Sequence, residues 1–372
     1  WGAPVVVYQE TGTDKQWIIG DQDPHGISPH AGNVYMCWKS FGTLVSGIVF
    51  SRSTDRNQTW SPPIELDTGS NQGCMPAVTP DGAVYVVYIN FDAGNLSFVK
   101  STDGGLSFTS PAPVATITNV PYQLPNSVFR TPDSLPSIAA SPLNGNLYVA
   151  WADYRNGDAD IYLSLSTDGG ATWSTAERLN DDPLANGIDQ FQPQISVAPN
   201  GRVSVMWFDR RLDCPNLPWV DPSRVGLSNN CIDTFMTRSY DDGQTWVSNI
   251  RASAQTWDWS LNLPLPNPSP TEKVGFIGDY QGIASSNDLD FPFWNATANL
   301  GDNPNNYQQI FVAHVPAIDL STSQKQVVPE TVVPAGVLSY TIKLNNASMD
   351  VATAAMTDTL PVSTTFQSGS LT

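Results

Sequence analysis

One octet occurs four times in the sequence, and this repeat limits the fold more than any other feature of the chain. It reads STDRNQTW from Ser53, STDGGLSF from Ser101, STDGGATW from Ser166 and SYDDGQTW from Ser239. An Asp side chain can accept hydrogen bonds from backbone N–H groups two residues on, and Gly supplies positive φ. The octet is therefore predicted to be a turn whose final aromatic ring packs between sheets. The residues predicted to build these turns are Asp55, Trp60, Asp103, Phe108, Asp168, Trp173, Asp241 and Trp246.

A second pattern precedes each octet, and it consists of a strand that contains Pro, a Gly turn and an apolar strand that ends in an aromatic residue. The clearest copies are GCMPAVTPDGAVYVVY, SLPSIAASPLNGNLYVAW and FQPQISVAPNGRVSVMW, with a looser copy GISPHAGNVYMCW. From the closing aromatic to the octet Asp there are 17, 15 and 17 residues in the first three units, and 34 in the fourth. Each unit is predicted to hold four short strands, and radial repetition of such units is the signature of a β-propeller.

Composition and charge agree with an all-β, exported protein. Gly and Pro are abundant, at 27 and 30 of 372 residues, and Lys and Arg total only 17. The net charge of −18 argues against a nucleic-acid partner, because phosphates are neutralised by clustered Lys and Arg. No apolar run approaches the roughly 20 residues that a membrane helix requires. The sequence therefore favours an extracellular or cell-surface location.

The four cysteines argue for disulfides and against a metal site. They lack Cys-x-x-Cys spacing, and no His lies near them. We predict two bonds, Cys37 with Cys74 and Cys214 with Cys231, with buried free thiols as the alternative. The second pair lies in the surplus residues of the fourth unit, which predicts a stapled excursion there.

The pattern S-x-D-x-G-x-x-W resembles the Asp-box, or bacterial neuraminidase repeat, and residues 1–316 resemble a sialidase-type propeller. The resemblance implies six blades and a structural role for the octets. The sequence shows four complete units and one unit without an octet near residues 275–315. The opening WGAPVVV also matches the segment that follows an octet. We therefore expect six blades with the first incomplete, and five as the alternative.

The remaining residues, 317–372, have a different pattern. Tyr340, Thr341 and Ile342, followed by DTLP from Asp358, resemble the Ig-like repeat of large bacterial surface proteins. The resemblance implies an incomplete Ig-like β-sandwich, truncated at its C-terminal end, in a long modular parent protein.

The resemblance also implies an active site on the face opposite the octets. It would contain three arginines that clamp a carboxylate, a Tyr nucleophile activated by a Glu, and an Asp acid. Candidates for these roles are Arg130, Arg155 and Arg210 for the clamp, Tyr280 with Glu272 for the nucleophile, and Asp153 or Asp158 for the acid. Further candidates for ligand binding are Arg211, Trp257 and Trp259.

Each candidate also has a structural interpretation. The Asp-x-Arg pairs suit ion pairs that brace a loop, Tyr280 suits packing in the central channel, and the Trp-rich loop suits a packed lid. The FRTP motif that contains Arg130 lies between the second and third complete units, whereas the family motif precedes the first blade. Only Glu10 and Glu272 lie in loops of the relevant face.

The leading interpretation is therefore a surface module that binds glycans or proteins and acts in adhesion or surface assembly, without catalysis. The first alternative is an exo-sialidase or related glycoside hydrolase. The second is a subunit of an extracellular filament or surface layer that associates with itself through its cut ends. No cofactor is required, although Asp-rich segments at Asn287 and Gly301 offer the hard oxygen ligands of structural calcium.

Overall fold

A computed structural model describes residues 4–125, 127, 129–212, 231–258, 275–297 and 308–317. It also gives the backbone of Gln324–Val328 and Ser339–Lys343, and only the backbone of Gly275–Phe276. Every regular element in these residues is a β-strand, so the prediction of an all-β chain is confirmed. No helix long and apolar enough to span a bilayer occurs in the described residues. The chain divides into two compact units, Trp1–Val315 and Pro316–Thr372.

The first unit is built from sheets whose antiparallel strands follow one another in sequence order. Sheet I contains β1 Thr13–Gly20, β2 Val34–Phe41, β3 Ser46–Ser53 and β4 Ile64–Asp67. Sheet II contains β5 Asn71–Val78, β6 Val84–Asn90, β7 Asn95–Ser101 and β8 Ala112–Thr116, and the short strand β9 Phe129–Arg130 follows it.

Sheet III contains β10 Ser137–Ala140, β11 Leu147–Asp153, β12 Asp160–Ser166 and β13 Glu177–Arg178. Sheet IV contains β14 Gln190–Val197, β15 Val203–Asp209, β16 Cys231–Ser239 and β17 Ile250–Arg251, and β18 Trp257–Asp258 also pairs with β16. The next strand, β19 Gly275–Phe276, pairs in parallel with β9. Sheet V contains β20 Gly282–Ser285, β21 Leu289–Ala296 and β22 Gln309–Val312, and β23 Val315–Pro316 follows it.

The first strands of successive sheets pack against each other in order: β1 against β5, β5 against β10, β10 against β14, and β14 against β20. The segment that precedes sheet V contacts sheet I, because Asp279 pairs with Lys15 and the Tyr280 ring meets the Trp17 ring edge-on at 6.0 Å. Antiparallel sheets repeated around an axis in this way form a β-propeller. The described residues contain five such sheets, and the number of blades, six or five, stays a prediction.

The second strands of sheets III and IV are buried along their whole length. Every residue of β11, LYVAWAD, and of β15, VSVMWFD, is buried. A short, continuous apolar run with β-branched and aromatic residues is typical of a strand covered on both faces. The neighbouring sheets supply that cover, which places the core between sheets.

Each octet forms the turn between the third and fourth strands of its sheet. In the third octet, Asp168 Oδ1 accepts hydrogen bonds from Ser166 Oγ at 2.8 Å and from the Thr172 backbone N–H at 2.9 Å. Its Oδ2 accepts from Thr172 Oγ1 at 2.5 Å. Asp55, Asp103 and Asp241 make the same three contacts in the other octets. One carboxylate therefore closes each turn.

The fourth and fifth residues of every octet have positive φ. Gly169 and Gly170 adopt φ of 69° and 87°, whereas the first octet places Arg56 and Asn57 there at 59° and 68°. This region costs a residue with a Cβ about 1–2 kcal/mol. Part of that cost is offset at Asn57, whose Oδ1 accepts a hydrogen bond from Trp60 Nε1 at 2.7 Å. The turn therefore persists without its usual glycines.

The octet aromatics join neighbouring sheets. The Trp173 ring, after sheet III's third strand, meets Phe98 of β7 edge-on at 5.7 Å. The Phe108 ring, in the equivalent place of sheet II, meets Phe50 of β3 edge-on at 4.8 Å. In both cases a side chain of the preceding sheet also donates a hydrogen bond to a carbonyl of the octet. The octets therefore act as seams between sheets.

Two further links hold the sheets together. The predicted disulfide between Cys37 of β2 and Cys74 of β5 is present, with a Cα–Cα distance of 6.2 Å, and it joins sheets I and II. Cys231 is also disulfide-bonded, and Cys214 lies outside the described residues. Between sheets IV and V, buried Asp290 pairs with both Arg202 at 2.9 Å and Arg238 at 2.5 Å.

The second unit contains an antiparallel pair, β24 Gln324–Val328 and β25 Ser339–Lys343, in which Gln326 lies opposite Thr341. The segment from Asp358 to Pro361 lies outside the described residues. The Ig-like assignment of residues 317–372 therefore stays a prediction.

The seam between sheets II and III predicts that alanine at Gly170 is costly. Its Cβ would lie 2.8 Å from Phe98 ring atoms, and its φ is +87°. Gly94 also has positive φ, at +62°, but an added Cβ meets no atom within 4 Å in the described part of the chain. We expect Gly170→Ala to lower the free energy of unfolding by about 2–4 kcal/mol and Gly94→Ala by about 1–2 kcal/mol in urea titrations. Equal losses would contradict the seam.

The octet carboxylates predict a loss of stability in acid. Hydrogen bonds from the Thr172 hydroxyl and then its backbone N–H lower the pKa of Asp168 to about 2. Because an unfolded Asp has a pKa of about 4, this contribution is present above pH 4 and is lost as the pH falls through about 2. The difference in Tm between the wild type and Asp168→Asn should therefore narrow as the pH falls from about 4 to about 2. A difference that stays constant over this range would rule out the contribution.

Candidate functional site

The face opposite the octets carries the candidate site. Its loops connect the second strand of each sheet to the third, and the fourth strand to the first strand of the next sheet. These loops hold most of the candidate residues. The first strand of each sheet, which we call the inner strand, begins at the same face.

Asp153, at the end of β11, is completely buried and saturated with hydrogen bonds. Its Oδ2 accepts from Trp151 Nε1 at 2.9 Å and pairs with Arg155 Nη2 at 2.5 Å. Its Oδ1 accepts from the backbone N–H groups of Arg155 at 3.0 Å and Thr118 at 3.3 Å. The Arg155 guanidinium also lies 4.4 Å from the centroid of the Tyr162 ring. Asp153 cannot reach a ligand, so the structure does not support its assignment as the acid.

Sheet IV repeats this arrangement at the end of β15. Asp209 Oδ2 accepts from Trp207 Nε1 at 2.9 Å and pairs with Arg211 Nη2 at 2.9 Å. Arg211 also pairs with Asp181 at 2.6 Å, and its guanidinium lies 4.6 Å from the Phe235 ring centroid. Arg211 therefore braces this loop in the pattern Trp-x-Asp-x-Arg, and its ligand-binding role stays a prediction.

Arg210 points into the protein and not toward a ligand. Only 1% of the residue is exposed, and its Nη1 pairs with Asp189 at 2.7 Å and donates to the Pro125 carbonyl at 3.2 Å. Asp158, the second candidate acid, is also buried, and one of its oxygens accepts from the Gly187 N–H at 2.8 Å. Burial raises the pKa of Asp158.

Arg130 pairs with Asp279 at 2.9 Å, and Asp279 also pairs with Lys15. The three clamp candidates, Arg130, Arg155 and Arg210, thus each pair with a different aspartate. Their positive charges are already neutralised by carboxylates of the protein. The structure therefore does not assemble the predicted clamp.

Tyr280 contacts the Trp17 ring of β1 edge-on and is 45% exposed, so its packing in the central channel stays an interpretation. Burial, followed by the charges of Asp14 and Asp279, raises its pKa to about 12. An activated nucleophile needs a base or a lowered pKa, so these surroundings work against that role. Its predicted partner, Glu272, lies outside the described residues.

Of the two tryptophans predicted to bind a ligand, the structure describes Trp257. Trp257 is 2% exposed and meets Phe208 edge-on at 5.8 Å, so it is a core residue and cannot stack on a ligand. Trp259 lies outside the described residues.

A cavity of about 20 Å³ lies on the axis, between the starts of the inner strands. We call it the axial pocket. Its lining comes from the first strands of sheets I, II and IV and from the segments that precede sheets III and V. It includes Lys15, Trp17, Gly73, Leu135, Gln192, Gln194, Asp279 and Tyr280.

The same backbone irregularity shapes this pocket in three sheets. In β1, β5 and β14 the pairing register shifts after the second residue. The third residue has positive φ in each case: Lys15 at 56°, Gly73 at 65° and Gln192 at 57°. Bulges of this kind re-aim side chains and are frequent beside functional sites. Glycine suffices in β5, whereas β1 and β14 keep long polar side chains in a strained conformation, which points to function.

The residues that line the axial pocket carry both hydrogen-bond donors and hydrogen-bond acceptors. Lys15 pairs with Asp279, and its Nζ lies 5.3 Å from the centroid of the Tyr280 ring. Gln192 is 6% exposed, yet neither its Nε2 nor its Oε1 has a hydrogen-bond partner among the described residues. Asp279 Oδ1 is buried and equally unpartnered in this part of the chain. A ligand there would meet at least one unused donor and two unused acceptors.

The sequence analysis missed Lys15, Gln192 and Asp279. An alignment of the first strands would have placed Lys15 and Gln192 at the position of Gly73. No common residue type marks that position, because what the three residues share is a backbone conformation with positive φ.

Of the two segments proposed for calcium, the structure describes the one at Asn287. Asn287 uses its carbonyl to accept a hydrogen bond from Arg202 Nη1 at 2.7 Å, and the segment at Gly301 lies outside the described residues. Among the residues that the structure describes, no three His, Cys, Asp or Glu side chains are grouped to hold a metal ion.

Neither a protein family nor a curated protein gives a significant match to this sequence. Among solved structures, a Dyadobacter fermentans protein of unknown function is 14% identical, with a TM-score of 0.48 over 83% of this chain and 85% of that one. The Hadza microbial sialidase Hz136 is 13% identical, with a TM-score of 0.39 over 82% and 66%. An α-L-arabinofuranosidase from Fusarium graminearum is 13% identical, with a TM-score of 0.40 over 83% and 94%. Similarity at this level assigns no activity to the chain.

The Trp-x-Asp-x-Arg pattern predicts a large cost for removing its carboxylate. Asp153→Ala would leave the Trp151 side-chain N–H and the backbone N–H groups of Arg155 and Thr118 without their acceptor, so we expect the free energy of unfolding to fall by about 2–4 kcal/mol. Asp92, also on this face, is exposed and accepts one hydrogen bond from the Ser70 N–H at 2.8 Å. Asp92→Ala should cost about 1 kcal/mol or less in the same denaturation experiment. A small loss for Asp153→Ala would show that the carboxylate is not a brace.

Proposed function

We propose that this protein is an extracellular propeller module that binds a glycan or a protein ligand on the face opposite the octets, without hydrolysing it. The observation that carries the proposal is the pairing of each clamp candidate with its own aspartate. A substrate carboxylate would have to displace one of these partners. The Arg210–Asp189 pair is buried on both sides, so breaking it is strongly unfavourable because it leaves an uncompensated charge.

Two further observations support binding without catalysis. Asp153 is 0% exposed, so it cannot deliver a proton to a glycosidic oxygen. The phenol of Tyr280 stays protonated at neutral pH, because burial and two neighbouring carboxylates raise its pKa. A sialidase mechanism needs an acid that reaches the substrate and a Tyr whose phenol is readily deprotonated.

The extracellular location is supported by chemistry as well as composition. The Cys37–Cys74 disulfide joins two sheets, and disulfides of this kind persist in oxidising compartments. A net charge of −18 keeps a secreted protein soluble and disfavours nucleic acid. The Ig-like resemblance of residues 317–372 fits a module within a larger bacterial surface protein.

Activity and binding assays on the same preparation test this proposal. We expect no release of product from a fluorogenic sialoside or from 4-nitrophenyl α-L-arabinofuranoside, together with retention of the protein on a glycan array. Turnover that exceeds that of the heat-denatured protein and is lost in Tyr280→Phe would establish the hydrolase alternative instead. Absence of both turnover and glycan retention would leave a protein ligand as the remaining form of the proposal.

A further inference from the structure

We propose that the axial pocket binds the vicinal diol of a neutral sugar, with Gln192 and Asp279 as the principal partners. The inference rests on the proposed function and names its ligand class and its site. The resemblance to sialidases would instead imply an acidic sugar held by an arginine clamp.

The charges of the axial pocket exclude the simplest ionic ligands. A carboxylate would approach Lys15 and Arg130, but Asp279 already pairs with both of them. It would also face the unused acceptors Asp279 Oδ1 and Gln192 Oε1, to which a carboxylate cannot donate. A metal ion would be repelled by the same two cations and would find the Gln192 N–H group beside it. Neither ion uses all of the unused polar atoms.

Hydroxyl groups match the pattern, because each one both donates and accepts. One hydroxyl of a diol can donate to Asp279 Oδ1, and its neighbour can donate to Gln192 Oε1. The Gln192 Nε2 group can donate to either oxygen. A buried polar group that stays unpaired is costly, so a ligand that satisfies all three atoms gains affinity where an ion would not.

The size of the axial pocket fits one end of a sugar and not a whole ring. A volume of about 20 Å³ holds a group comparable to a water molecule or two. The rest of the ring would lie at the mouth, where Trp17 and the half-exposed Tyr280 meet edge-on at 6.0 Å. Aromatic faces at that position can pack against the C–H groups of a sugar.

The strained backbone supplies an independent argument. Gln192 holds φ of 57° at a position where β5 uses Gly73 at 65°. A residue chosen for stability alone would be glycine there, as in β5, because glycine adopts this conformation without a steric penalty. The side chain at position 192 therefore carries a backbone cost that no hydrogen bond among the described residues offsets, and strain of this kind is found at functional sites.

The test is Gln192→Gly, with Arg56→Gly as its matched control. Arg56 has φ of 59° but lies in the first octet, on the opposite face. Both variants relieve the same backbone strain, so both should keep the wild-type Tm or raise it. Only Gln192→Gly should lose sugar binding, by at least tenfold in Kd.

Binding is measured by saturation-transfer NMR and calorimetry on the full chain. The probes are methyl β-D-galactopyranoside, methyl α-D-mannopyranoside and methyl α-L-arabinofuranoside, with sodium acetate and calcium chloride as ionic competitors. We expect at least one glycoside to bind saturably, and we expect neither ion to compete. Saturable binding of none of the three, competition by an ion, or unchanged affinity in Gln192→Gly would each overturn the inference. A clear fall in Tm for Gln192→Gly would also overturn it, because it would assign the side chain to the fold.

The outcomes separate this inference from the proposed function. If wild type and Gln192→Gly are retained equally on the glycan array, the module binds sugars elsewhere and only the axial site is wrong. If the wild type is not retained and hydrolyses the sialoside, the proposed function itself is wrong.

Discussion

The hydrogen bonds that each octet aspartate accepts are the constraint on which this fold depends. A single carboxylate takes the hydroxyl of the residue two positions earlier and both donors of the Thr or Ser four positions later. This fixes the path between the third and fourth strands and delivers an aromatic ring to the preceding sheet. Because the turn recurs in four sheets, one local interaction sets the spacing of most of the propeller.

In the part of the chain that the structure describes, the loops of the opposite face share no repeated turn motif like the octet. They differ in length and are braced one at a time, by Asp153 with Arg155 in sheet III and by Asp209 with Arg211 in sheet IV. These ion pairs use the residue types that a carboxylate clamp would use, but each guanidinium is paired with a buried aspartate of its own sheet. Three bulged strands meet at the axis, where the side-chain polar atoms of Gln192 have no hydrogen-bond partner among the described residues. The proposed ligand site follows from this strand geometry more than from charged residues.

The sequence predicted the all-β class, the repeated four-stranded units and the Cys37–Cys74 disulfide. These features depend on local chemistry or on fixed spacing, which a single sequence displays directly. The roles of Arg210 and Trp257 were not predictable in the same way, because burial depends on packing between residues distant in the chain. The sequence around a loop Arg does not show whether its side chain faces solvent or is buried, as Arg210 is at 1% exposure. The bulge at Gln192 was hidden for a similar reason, since positive φ at a non-glycine residue has no sequence signature.

We propose that the ligand binds at the axis and not at the arginine-bearing rim. A crystal structure of the protein soaked with a neutral methyl glycoside distinguishes the two positions. We expect a sugar ring against Trp17 and Tyr280, with two adjacent hydroxyl groups within hydrogen-bond distance of Gln192 and Asp279. A sugar bound only at the rim, beside Arg155 or Arg211 with their aspartate pairs broken, would contradict it.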